Sequence, residues 1–420
     1  MMIYRKEKNN ISLKEINKKN ILKIVKDIGP ISRIDISRQL KISRPTTSAY
    51  IGELIEDGLI EEIGKSDSTS SGGKKAVLLQ FKVRASYILG VMIGVKNIRI
   101  ALTDLGSNII EIIKIPTKEW LGPDAVIDKL VKNIKEIIRK SKINEEEIIG
   151  IGIGATGLVD SKKGLVIFSP NLNGWNNIKL KEIIEKKIGL PVFIENECRV
   201  QAIAEKEYGL ARNIKNFVCI ETGTGIGTGV FIDNKLVSGD KGMAGEVGHI
   251  ITNLAGNRVC HCGNIGCLET LCSTSSLLED IIDDIKKREK SSKYSESGLK
   301  LEDLFSLYDQ DNEIVTRNVE KNAEYLGIGI SNTIKMFNPE LIIIHGEIIK
   351  FGEKYLKKVK ESVSKNTFPK VKDNYNIKFS EMGDNVGVVG AAAIVFDNIF
   401  DLDSSNIAGH YIIKKRLSRA

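Results

Sequence analysis

Three cysteines and a histidine crowd one stretch of the chain, and their side chains can do chemistry together. Residues 242–249 read Gly-Met-Ala-Gly-Glu-Val-Gly-His, and after ten residues the chain continues Cys260-His-Cys-Gly-Asn-Ile-Gly-Cys267-Leu268-Glu269. His249, Cys260, Cys262 and Cys267 form a set of imidazole and thiolate donors, the ligand chemistry of a tetrahedral structural zinc. Gly263 and Gly266 allow the tight turn that brings Cys262 and Cys267 to one ion. Glu246 and Glu269 flank the ligands, so an ion that fixes this loop also fixes two carboxylates beside it. Three of the six cysteines fall within eight residues, which favours a metal over buried free thiols. No secretory leader is visible, so a reducing cytoplasmic setting is expected, and a disulfide is disfavoured there. Cys198, Cys219 and Cys272 lack ligand spacing and read as small apolar residues. His261 is an alternative to His249 as fourth ligand.

The elements that position these residues need a large fold. At 420 residues the chain exceeds one ordinary domain. Its 42% hydrophobic and 28% charged content is that of a soluble globular protein, and no apolar run has the length of a membrane span. Net charge is +8, and residues 1–82 carry 16 Lys and Arg against 10 Asp and Glu, which is +6 of that total. A basic N-terminal fifth points to a polyanionic partner, although a generally Lys-rich composition also fits.

Hydrophobic spacing in that fifth predicts three helices. The first runs from about Leu13 to Ile28, with Ile21, Ile24, Val25 and Ile28 on one face, and ends at Gly29-Pro30. The second spans about Arg33 to Leu40 and buries Ile36 and Leu40. Ser43 caps a third, with Pro45 in its first turn, Thr47, Ile51, Leu54 and Ile55 inward, and Gly58 as its stop. This order is a helix-turn-helix, and Arg44, Thr46, Ser48 and Tyr50 on the outer side of the third helix suit base edges and phosphates of a major groove. Strands at Leu59–Ile63 and Ala76–Phe81 bracket a Gly/Ser-rich wing with Lys74 and Lys75, placed for phosphate or minor-groove contact. A protein-interaction module with a solvated loop is the competing reading.

From Tyr87 onward the pattern becomes α/β. Strands are expected at Tyr87–Val95, Ile98–Asp104, Ser107–Ile115, Ile148–Ala155 and Phe217–Thr222, with a helix at about Ala125–Ser141. The run Ile148–Asp160 and the run Phe217–Asp233 each show a strand, a Gly-containing turn and a second strand, which suggests two related lobes facing a cleft. Thr222–Gly229 has the composition of a phosphate cradle but no following Lys-Ser/Thr, so it is not a Walker loop, and a tight β-turn explains it as well.

Taken together, Glu221-Thr-Gly-Thr-Gly-Ile-Gly227, Gly245-Glu-Val-Gly-His249, the cysteine cluster with Leu268-Glu269, Gly152-Ile-Gly-Ala-Thr-Gly-Leu-Val-Asp160 and Ser169-Pro-Asn-Leu-Asn-Gly-Trp175 resemble the ROK family of repressors, open reading frames and kinases. The resemblance covers essentially the whole length of a ROK repressor. It implies an N-terminal winged helix-turn-helix, mainly α, followed by a two-lobed α/β actin/hexokinase-like (ribonuclease-H-like) module. The division expected is 1–82, 83–205 and 206–420, with a C-terminal helix near 386–400 returning to the first lobe. The resemblance further implies a structural zinc beside a bound sugar, and a homodimer or homotetramer. Carried over to matching positions, the sugar contacts are Asn196, Glu197, Glu246, His249 and Glu269, with Ala155–Gly157 and the turn bearing Asn171 and Asn173 on the other side. Carboxylates and amides suit hydroxyls that both donate and accept, and a helix-capping role for Asn196 and Glu197 is compatible.

Three positions depart from the family's kinases. Glu197 stands where they carry the general-base Asp, and one methylene displaces the carboxylate by about an ångström, enough to cost roughly a hundredfold in rate. Met92 stands where the first phosphate loop has Asp. His345-Gly-Glu347 replaces a Gly-Gly-Gly on the nucleotide side. The expectation is a non-enzymatic repressor of carbohydrate genes that leaves its operator DNA when a monosaccharide binds. The Asn-Glu pair together with the altered phosphate loop is most similar to xylose-responsive repressors, so xylose is the first candidate inducer and glucose or another aldose the next. The alternatives are a ROK sugar kinase with a DNA-binding head, and a regulator whose effector is a protein. The basic tail Lys414–Arg419 reads as solvated.

Overall fold

The computed structural model describes residues 13–65, 75–254, 256, 258–288, 298–368 and 375–400. Its N-terminal head holds α1 (Leu13–Ile28), α2 (Arg33–Leu40) and α3 (Arg44–Glu56). Short polar side chains set where α2 and α3 begin: Ser32 Oγ accepts from Asp35 N–H, and Ser43 Oγ from Thr46 N–H. Each such cap satisfies a backbone donor that the helix leaves open. Thr47, Ile51 and Leu54 are buried and Ile55 packs on them, as their spacing predicts. In α1 the buried residues are Ile21, Leu22 and Val25, whereas Ile28 is 52% exposed. Ile28 lies in the last turn, past the edge of the small core that α2 and α3 can cover. Ile60–Lys65 and Val77–Phe81 pair antiparallel, and a two-residue strand, Ile31–Ser32, adds to the far side of Val77–Phe81. That short strand was not expected, because two residues carry no readable period. The expected wing tip with Lys74 lies outside the described residues; Lys75 is exposed at the base of Val77–Phe81.

The remainder is built on two five-stranded sheets of one topology. In the first, Tyr87–Ile93 pairs antiparallel with Asn97–Asp104, which pairs with Ile109–Pro116, while on its other side Ile148–Ala155 and then Val192–Asn196 run parallel. In the second, Phe217–Thr222 pairs antiparallel with Ile226–Ile232, then Lys235–Leu236, and on its other side parallel with Leu341–His345 and Asn376–Phe379. The repeat is therefore real, but its register differs from the sequence reading. The counterpart of the Phe217–Ile232 hairpin is Tyr87–Asp104, and Ile148–Ala155 corresponds to Leu341–His345. Leu158–Asp160, which follows Ile148–Ala155, leaves the sheet to pair with Leu165–Phe168 in a separate three-stranded sheet. Glycine composition at the turns misled, because several glycines serve close packing rather than hairpins.

Parallel strands buried on both faces need helices as cover. Helix Gly122–Ser141 contributes Ile127, Leu130, Val131, Ile134 and Ile138 to one face of the first sheet. The C-terminal helix Val386–Phe400 is apolar nearly all round and lies on the other face, sharing a core with Ile88, Met92, Ile149 and Phe193. Phe396 of that helix meets Phe81 of the head edge-on, with centroids 5.9 Å apart, so head and body share one apolar cluster. Among the described residues no helix is long and apolar enough to cross a membrane.

Candidate ligand cleft, metal loop and reading helix

A cavity of about 560 Å³ opens between the two sheets. Helix Glu197–Tyr208 starts at its floor, straight off strand Val192–Asn196. Asn196 is the cap: its Oδ1 accepts from the backbone N–H groups of Cys198 and Arg199, at 2.9 and 3.3 Å. Its Nδ2 donates to Gly157 O at 2.8 Å. One amide N–H then remains for a ligand. Glu197 Oε2 accepts from Thr156 Oγ1 at 2.6 Å. Burial, and next the neighbouring Glu221, push the Glu197 carboxyl up to about 8. Burial likewise raises Glu246, against the opposing pull of His249 and Arg199.

Glu246, His249 and Glu269 line the same cavity. Glu269 Oε2 accepts from Ile226 N–H at 2.9 Å, and its Oε1 lies 3.4 Å from Cys260 Sγ, so this carboxylate joins the cysteine loop to the glycine-rich hairpin. Of the two asparagines expected opposite, Asn171 lines the cavity and Asn173 does not; Asn173 is exposed. Leu172 and Trp175 anchor that turn in the core, which leaves Asn173 on its solvent side.

Two more polar residues of this helix escaped the sequence reading, Gln201 on the cavity floor and Arg199 behind it. Gln201, one turn after Glu197, donates to Glu221 Oε2 at 2.5 Å, while its Oε1 has no hydrogen-bond partner among the described residues. Burial raises Glu221 too, and the Gln201 bond opposes the rise. The i+4 spacing of Glu197 and Gln201 on a helix was the signal available for Gln201. Arg199, 1% exposed, donates to Glu195 Oε1 at 3.0 Å and to the carbonyls of Gly242 and Ala244 at 2.5 and 3.3 Å. It thereby pins the segment that leads to Glu246, and no local pattern announced it.

His249, Cys260, Cys262 and Cys267 come together: their ligand atoms all lie within 4.8 Å of one another. Cys262 Sγ and Cys267 Sγ are 3.7 Å apart, and His249 Nδ1 is 3.5 Å from Cys260 Sγ. Metal–sulfur bonds of about 2.3 Å in a tetrahedron place sulfurs about 3.8 Å apart, so the group fits such an ion. Gly263 and Gly266 take φ of +93° and +84°, the left-handed backbone that the turn needs. His261 is exposed and stands outside the group. With Nδ1 turned to the cysteines, Nε2 is the ring atom available to a cavity ligand.

Two of the positions expected on a nucleotide side, Met92 and Glu347, make contacts within the chain. Met92 is buried, its sulfur packed near Gly154 and Gly387. Lys96 of the first lobe pairs with Glu347 of the second at 3.2 Å, and Arg99 pairs with Asp384 at 3.2 Å.

On α3, Arg44 and Ser48 are exposed, and Thr46 and Tyr50 are half-buried. Thr46 Oγ1 hydrogen-bonds Ser43 Oγ at 2.7 Å, and Tyr50 packs on the head's core. Ala49, exposed between them, was passed over because it has no polar group, yet a methyl suits thymine in a major groove.

Comparison with known proteins places this geometry. Residues 88–398 match the model of the ROK family, and residues 14–61 match that of winged helix-turn-helix DNA-binding proteins. The chain is 35% identical over 391 residues to the xylose repressor of Bacillus spizizenii, covering 93% of this chain and 97% of that one. It is 27% identical over 387 residues to the N-acetylglucosamine repressor of Escherichia coli, covering 92% and 94%. A ROK family transcriptional regulator, described as a homolog of the E. coli MLC protein, superposes with TM-score 0.80 at 27% identity over 97% of this chain and all of that one. A ROK family glucokinase from Streptomyces griseus, solved with glucose and AMPPNP, superposes with TM-score 0.66 at 25% identity over 74% of this chain and 99% of its own. With matches that run nearly end to end, a two-lobed body and a winged head on one core, the chain belongs to the ROK family.

Proposed function

We propose that this protein is a sugar-responsive transcriptional repressor of carbohydrate-utilisation genes, released from its operator when a monosaccharide enters the cleft. The observation that carries the reading is the union, in one chain, of a polar cleft and a helix-turn-helix with an outward-facing α3. Asn196, Glu197, Glu246, His249, Glu269 and Asn171 are the sugar contacts: carboxylates accept from hydroxyls, and the free N–H of Asn196 donates to one. Xylose is the first candidate, supported by the name of the 35% identical relative; glucose or another aldose comes next. His249, Cys260, Cys262 and Cys267 would hold a zinc ion whose part is structural, fixing Glu246 and Glu269 on either side of the ligand. Arg44, Thr46, Ser48 and Tyr50 read the operator from the major groove, with Lys74 and Lys75 on the backbone. A homodimer or homotetramer would set two heads on a palindromic site. The head is 1–82 and the lobes are 83–205 and 206–420, with 386–400 assigned to the first.

Catalysis is not part of this proposal. Met92 supplies no carboxylate for magnesium, Glu197 is one methylene too long for the kinases' base, and Glu347 and Lys96 occupy each other. The test is operator-fragment anisotropy at fixed salt with single monosaccharides added and ATP consumption followed in parallel. Loss of binding with one aldose and no ATP used is the expected outcome. ATP turnover with unchanged DNA binding would instead make the protein a kinase.

A further inference from the structure

Helix Glu197–Tyr208 touches both functional ends of the molecule. Its first residue lies in the cleft, bonded to Thr156, and Asn196 caps it there. The helix is twelve residues long, about 18 Å along its axis, and its last two residues meet the DNA-binding head. Lys26 of α1 bonds Glu207 Oε2 at 2.8 Å, with its Nζ 5.5 Å from the Tyr208 ring centroid and 4.5 Å from that of Phe396. The Lys26 side chain is 10% exposed, so this charge is held in a largely dry seat rather than on a wet surface. Around it, Phe81 abuts Phe396, and Arg212 reaches Asp27 O at 3.5 Å.

The helix also runs along the seam between the lobes. On one side is strand Ile226–Ile232 of the second sheet, where a Cβ at Gly229 would lie 2.5 Å from Ala202 Cβ. On the other is helix Val386–Phe400, where a Cβ at Gly390 would lie 1.7 Å from Val200 O. Contact this close leaves no slack, so a lobe movement that displaces the helix's cleft end displaces its far end as well.

We infer that helix Glu197–Tyr208 is the rod that carries ligand occupancy to the DNA-binding head, and that Lys26, seated on Glu207, Tyr208 and Phe396, is the positioning residue that couples the head to it. The inference rests on the sugar-released repressor reading. In the sugar-free chain this seat fixes the pose of α3, and ligand-driven movement of the rod shifts the seat and so the head. Coupling then resides in a contact that touches neither sugar nor DNA.

The experiment uses the full-length chain, with sugar affinity measured by calorimetry and operator affinity by anisotropy, each with and without the releasing aldose. For Lys26→Met and Glu207→Gln, sugar affinity stays within about threefold. The sugar-dependent loss of operator affinity, of order 5- to 150-fold in a coupled regulator, shrinks to under about threefold. Lys26→Arg, which keeps the charge, restores most of the response. Undiminished response in both Lys26→Met and Glu207→Gln overturns the proposal. So does loss of operator binding without sugar that Lys26→Arg fails to rescue, since a merely structural role behaves that way. If the unaltered chain answers to no aldose, the repressor reading fails instead, and the two failures are distinct.

Discussion

The two halves of the cleft are built from similar residue types and use them differently. On the side next to the cysteine loop, Glu246, His249 and Glu269 converge on the cavity, and Asn196 keeps one N–H unengaged. On the other side, the charged groups have found each other: Lys96 with Glu347, and Arg99 with Asp384. Met92 lies buried at the cavity wall there. A polar group already paired within the chain must break that pair before it can serve a ligand, whereas one held open by its scaffold is ready. The difference separates a side of the cleft whose polar groups are held open from a side whose charges bridge the two lobes.

The strongest way to break this contrast is to remove the scaffold beside Glu246 and Glu269. Cys262→Ala should abolish stoichiometric zinc, read by elemental analysis, and lower sugar affinity at least a hundredfold, read by calorimetry. Zinc-free protein that still releases DNA on sugar addition would show that the loop holds its carboxylates unaided.

A middle-sized effect concerns protonation. Glu197 is raised to about 8, and Glu221 and Glu246 are raised as well, all mainly by burial. In the unfolded chain these carboxyls ionise near 4.5, so between that value and about 8 the folded chain binds more protons than the unfolded one. Stability therefore falls as pH rises through this window. Glu197→Gln should flatten the fall and raise the melting temperature at pH 8 by a few degrees, measured by scanning fluorimetry from pH 5 to 9. Parallel profiles for the two proteins would mean that Glu197 is well solvated.

The smallest effect is expected on the other half. Lys96→Met removes an exposed interlobe pair worth no more than about 1 kcal/mol. Sugar affinity should change less than threefold, and no ATP should be consumed. Measurable phosphorylation of an aldose by this variant would show that the ion pair alone was blocking the site.

Much of this contrast was legible before any coordinates. The grouping of His249, Cys260, Cys262 and Cys267, the caps at Ser43 and Asn196, the buried stripe Thr47–Ile51–Leu54 and the strands Ile148–Ala155 and Phe217–Thr222 stand where residue type and period put them. These features depend on neighbours within a few positions, where backbone geometry ties spacing to direction. The lobe equivalence was misaligned because glycines marking hairpins and glycines permitting close packing look alike in a string.

By itself, then, the sequence determined the donor chemistry of the cysteine loop, the polar character of the cleft and the presence of a helix-turn-helix head. Tertiary structure alone decided which polar groups are open and which are engaged. It turned Asn173 outward, placed Gln201 against Glu221, set Arg199 under Gly242, and joined Lys26 to Glu207 across 181 positions of chain. Such pairings follow from how whole layers pack, and a side chain's type says what it can bond without saying what will arrive beside it.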